Sequence, residues 1–180
     1  LKPPALFPNM TGNNIRMRAT LDGPFARAAF AYVLTADRAA FDRTGFENVR
    51  AEGKGHFSPS PVSVPVKLSA SRVTGVGNVV GGILARLAVN GVLKVSVKTV
   101  TGEGMALTSD EIKGKLALLL ELRTADYTVS LSGGMTRYLI RGLGLVDVLT
   151  ELKIVPGPGG HGSIVVGRGR AWVRRFDNAF

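Results

Sequence analysis

Two histidines, one glycine-rich turn and one arginine-dense strand are the places in this 180-residue sequence where side chains capable of chemistry gather. His56 alternates with Lys54 on the polar side of a predicted strand. His161 lies in the broad turn Pro156-Gly157-Pro158-Gly159-Gly160-His161-Gly162. Neither has carboxylates, cysteines or a second histidine at metal-ligand spacing, and no Gly-x-Ser-x-Gly elbow offers a nucleophile. Both read as solvated imidazoles. Gly75-Val76-Gly77-Asn78-Val79-Val80-Gly81 follows a strand and opens a helical pattern, which is the setting of a dinucleotide fingerprint. Its third glycine falls one place late, and the next carboxylate, Glu103, is too distant to hold a ribose. These glycines read better as a chain reversal between strands. No catalytic residue, metal site, cofactor or enzymatic activity is therefore expected.

The arginine-dense stretch is Arg168, Arg170, Trp172, Arg174 and Arg175. The whole chain carries 23 Lys and Arg against 13 Asp and Glu, a net charge of +10, which suggests an anionic partner such as nucleic acid or an anionic lipid surface, although basic residues so scattered read more readily as charge on a solvated face. Single-strand binders pair a basic groove with several aromatic platforms. Aromatic content here is only 7%, and no other basic strand carries paired aromatics, so nucleic acid is not the expected partner. The stretch fits equally an outer face whose arginines snorkel toward anionic head groups. The chain has no cysteine, so disulfide and thiolate chemistry are excluded.

The elements that must carry these residues are strands. Ile112, Leu116, Leu118, Leu120 and Leu122 alternate with Glu111, Lys113, Lys115, Glu121 and Arg123, and Tyr127, Val129 and Leu131 alternate with Asp126, Thr128, Ser130 and Ser132. A period of two describes a ribbon that is apolar on one side and polar on the other. The same pattern covers 14–21, 25–36, 46–57, 62–70, the segment after Gly91, Met105 to Leu107, 146–154 and 163–175. Pro65 cannot donate to a ladder, which predicts an edge position or a bulge for its strand. Residues 1–13 read as an irregular opening segment, and 14–180 as one β-groove section of a longer protein. No apolar stretch approaches the roughly 20 residues of a spanning helix.

Two stretches depart from the period. Val76, Val79, Val80, Ile83, Leu84 and Leu87 fall at helical spacing, as do Met135, Tyr138, Leu139, Leu143 and Val146, and each predicts a short helix. There is also an internal echo: Leu34-Thr35-Ala36-Asp37-Arg38-Ala39 is similar to Leu68-Ser69-Ala70-Ser71-Arg72-Val73. Val49-Arg50-Ala51-Glu52-Gly53 and Leu87-Ala88-Val89-Asn90-Gly91 follow them in turn. A repeated unit and chance likeness between strands of similar composition both explain it.

Serial amphipathic strands can close as a sandwich or barrel, face lipid as an outer-membrane barrel, or form an open trough. The missing aromatic girdles argue against the membrane barrel. The expected fold is mainly β: a long antiparallel curved sheet forming an open, repeating β-groove, with one or two short helices. The segment from Ala36 to Gly53 resembles the strand-turn-strand units of the AsmA-like superfamily. Thr136 to Val148, Val155 to Gly160 and Gly169 to Arg175 resemble its YdbH-like branch, related to TamB and YhdP.

The resemblance implies a periplasmic bridge along which phospholipid acyl chains slide between the inner and outer membranes. The full-length protein would be anchored in the inner membrane, with a part in cell-envelope and outer-membrane biogenesis. The expected lining is Phe30, Leu34, Val64, Val66, Leu68, Leu93, Val95, Leu116, Leu118, Leu120, Val129, Leu131, Val148, Leu152 and Ile154, although buried core rows would look the same from sequence. The expected partners are phospholipids; one alternative role is a scaffold that engages outer-membrane or envelope proteins, as the TamB likeness allows, and a nucleic-acid-binding β-domain ranks below it.

Overall fold

The computed structural model describes residues 10–41, 43–75, 78–158 and 163–173. They form one open antiparallel sheet of 12 strands with almost no helix, as the alternation predicts. The strands are β1 (Met10–Asn13), β2 (Arg16–Asp22), β3 (Ala29–Phe41), β4 (Thr44–His56), β5 (Val62–Ala70) and β6 (Arg72–Thr74). After helix α1 (Asn78–Ile83) come β7 (Leu87–Val95), β8 (Thr99–Thr108), β9 (Lys113–Glu121), β10 (Tyr127–Ile140), β11 (Gly144–Pro156) and β12 (Ser163–Val173). β1 and β2 pair in succession along the same edge of β3, and β5 and β6 lie in succession along β4. From β7 onward each strand pairs with the next in simple order.

Four expectations change. Met10–Asn13 is not irregular but pairs with Arg38–Phe41 as an edge strand. Residues 25–27 form a 3-10 turn, so the third strand starts only at Ala29. The strand of Pro65 is not an edge: β5 lies between β4 and β7. Its pairing with β4 nevertheless stops at Glu52↔Lys67, so the missing donor is accommodated where that ladder has ended.

The fourth change is that the second predicted helix is absent. Residues 135–146 are the end of β10, a turn and the start of β11. Arg137 has φ +58°, and the register shifts between Met135 and Tyr138. This bulge puts two residues three apart on one face of a strand, which mimics helical spacing in the sequence. A second bulge lies between Gly102 and Met105, with Gly104 at φ +57°.

The first predicted helix is present, though shorter: α1 ends at Ile83, and Leu87 opens β7. The core sits beneath it. Val73, Leu87, Val89, Met105, Leu107 and Ile112 are buried together, with Ile83, Leu84 and Phe46 packed against them. The segment after α1 is held down by polar contacts. Ser109 Oγ donates to the Ile83 carbonyl at 2.7 Å and accepts from the Ile112 N–H at 3.0 Å. Asp110 N–H donates to the Ala85 carbonyl at 3.0 Å, and the Asp110 carboxylate pairs with Arg86, raising the guanidinium pKa.

The internal echo has a geometric counterpart. Leu34 and Leu68 both lie opposite Ala51, Thr35 and Ser69 opposite Arg50, Arg38 and Arg72 opposite Glu47, and Ala39 and Val73 opposite Phe46. The hairpins match as well. Leu34↔Ala51 and Ala36↔Val49 in the first correspond to Leu68↔Val89 and Ala70↔Leu87 in the second. The two segments are equivalent strands on either side of β4, and α1 occupies the turn of the second hairpin.

Candidate functional site

Cross-strand pairing converts the alternation of each strand into rows that run across the sheet. One row is Val64, Leu93, Gly102, Leu118, Val129 and Ile154, each directly opposite the next. A second runs Met105, Leu116, Leu131, Leu152 and Gly167. A third runs Val95, Val100, Leu120 and Tyr127. The residues expected to line a groove therefore share one face of the sheet, and each of them is half-buried rather than closed in.

The structure divides them into two groups. Leu68, Leu93, Leu116, Leu118 and Leu131 pack against the buried cluster beneath α1. Val129, Leu152, Ile154 and Val148 lie farther along the same face, outside that cluster. Phe30 belongs to an aromatic group at one end of β3, its ring centroid 5.3 Å from that of Phe57, which stacks on Phe25 at 5.6 Å. The lining expected from sequence left out Tyr127, Met135 and Val100, although the alternation itself put Tyr127 on the apolar side. The period from Tyr127 through Val129 and Leu131 reaches Met135 without interruption, ahead of the bulge, so it was the helical spacing of 135–146 that hid Met135 in the sequence.

One device keeps the sheet continuous where β4 and β5 part. Tyr32 pairs with Gly53, where a β-carbon would run into the Pro65 carbonyl and the Tyr32 ring. The bare glycine admits the ring, and Tyr32 Oη donates to the Pro65 carbonyl at 2.8 Å, a group beyond the end of the β4–β5 ladder. Burial pushes the Tyr32 phenol above its ordinary value of 10.0.

The sites considered for chemistry stay apart. His56 is exposed near the end of β4, while His161, Val76 and Gly77 lie outside the described residues. The pairings around α1 are antiparallel, which is not the parallel strand-helix-strand frame of a dinucleotide site. Among the described residues no group of His, Asp or Glu is placed to hold a metal ion. No helix among them is long and apolar enough to cross a membrane. Arg168, Arg170 and Trp172 lie on the face opposite the aliphatic rows; Arg174 and Arg175 lie outside the described residues. No family model, curated protein or solved structure matches the chain.

Proposed function

We propose that the chain is a section of a bridge-like periplasmic lipid transporter of the AsmA-like kind, in which phospholipid acyl chains travel along the apolar face. The observation that supports this most is the state of the aliphatic rows. They continue from strand to strand, yet beyond the cover of α1 their side chains stay half-exposed in a sheet that does not close. An acyl chain laid on such rows displaces water, contributing about 0.8 kcal/mol per buried methylene. The first two rows, of Val, Leu, Ile, Met and Gly, offer no polar side chain to fix a position, so the chain can slide while its head group stays in water.

Mass spectrometry of lipid extracted from the native protein, purified without detergent, tests this reading. Phospholipid is expected, and its reproducible absence from folded protein would overturn the proposal. Ile154→Asp, outside the buried cluster, should lower the bound lipid while leaving the circular-dichroism spectrum unchanged. A second reading, a scaffold for outer-membrane proteins, draws on β12, whose outer edge has no strand partner among the described residues. Capture of an extended β-strand peptide without bound lipid would favour it.

A further inference from the structure

The face opposite the aliphatic rows has no part in lipid passage, yet its residues are not arranged as simple solvated charge. On β9 to β12, Lys115, Ser132, Glu151 and Arg168 form one row across four strands, and Lys113, Gly134, Leu149 and Arg170 form the next. Lys153 extends the group on β11. With strands about 4.8 Å apart and about 6.8 Å between same-face neighbours, these cations occupy a patch roughly 15 Å across. Glu151 is the one acid in the two rows, and Arg168 Nε already pairs with it at 3.0 Å. Ser132 and Gly133 of β10 leave a shallow depression between Lys115 and the arginines of β12.

Large apolar side chains stand among these charges. Leu149, Val166 and Trp172 are 56%, 61% and 49% exposed on the same face. Around them this side of the sheet holds Lys113, Lys115, Thr128, Ser130, Ser132 and Lys153, with Ala117 and Leu119 farther along β9 and Asp147 opposite Trp172. A nucleic acid gains little from an exposed leucine and valine, and a single tryptophan makes no stacking ladder. The surface of an anionic bilayer suits all three classes of residue at once. Its head groups attract Lys and Arg, an indole settles at head-group depth, and aliphatic groups reach the acyl boundary.

We infer that the polar face of β9–β12 docks on the surface of an anionic phospholipid bilayer, with the aliphatic rows turned away from it. This does not depend on whether the opposite face carries acyl chains. Trp172 is the single tryptophan of the sequence and so reports the contact directly. Vesicles of phosphatidylcholine mixed with phosphatidylglycerol should shift its emission to the blue, while phosphatidylcholine alone should not. Arg168→Gln combined with Arg170→Gln should weaken binding by about fivefold per charge removed, and added salt should weaken the unaltered protein. Leu149→Ser should weaken binding severalfold while leaving the salt dependence intact, which separates insertion into an interface from attraction alone. These positions are exposed, and an unchanged circular-dichroism spectrum confirms that each variant folds. Equal binding to neutral vesicles would overturn the inference, as would indifference to the arginine changes. So would a single-stranded oligonucleotide that displaces the vesicles from Trp172.

Discussion

The apolar face is built from the same alternation throughout, yet it behaves differently in two regions. Around β6–β9, Ile83 and Leu84 cover the rows, and Val73, Val89, Met105, Leu107 and Ile112 are buried. Among the described residues of β10–β12 no helix overlies the sheet, and Val146 is the one apolar side chain described there that is closed off. Covered rows become core, and uncovered rows remain a surface that still needs a partner. The difference is made by a six-residue helix set into one hairpin turn.

The largest expected effect probes that contrast directly. Leu107→Ala, beneath α1, should cost about 3 kcal/mol, because the closed cluster collapses only partly around the space left. Ile154→Ala on the uncovered face should cost less than about 1.5 kcal/mol, since water already reaches that side chain. Equal shifts in denaturant midpoint would erase the distinction between the regions. Ser109→Ala should come next, at about 1 to 2 kcal/mol, by orphaning the Ile112 N–H and releasing the Ile83 carbonyl. Hydrogen exchange should then rise around Ala85 to Leu87 and not in β10–β12; a uniform rise would show that α1 is not a local cover.

The smallest effect concerns Tyr32. Its raised phenol pKa means that the folded chain holds the proton more tightly than the unfolded one. That contribution is fully present below the ordinary tyrosine range and is lost as pH climbs through the folded value. The melting temperature should therefore fall less steeply above about pH 10 in Tyr32→Phe than in the unaltered protein. Identical slopes would mean that burial in the folded chain does not hold the phenol protonated.

Much of the fold was legible because a strand's facing is a local property. Leu116, Leu118 and Leu120 share a face by geometry alone, whatever they pack against. The second predicted helix failed where that local rule is broken by the backbone. At Arg137 one residue with positive φ shifts the parity, and a strand then carries the spacing of a helix. Asn48, at φ +50°, lies between Phe46 and Val49, which both join the core three positions apart. No side-chain period reveals such a change, because it depends on where neighbouring strands stay in register.

By itself the sequence determined which side chains share a face within a strand, that one side is aliphatic and the other polar, and that cysteine chemistry is absent. It also held the echo whose two copies flank β4. Strand order, the bulges, and the row that each residue joins were decided by pairing between segments distant in the chain. Whether a greasy row is core or exposed surface was decided last, by where α1 lies. Alternation fixes only the direction of a side chain, and burial requires another element to arrive on that side.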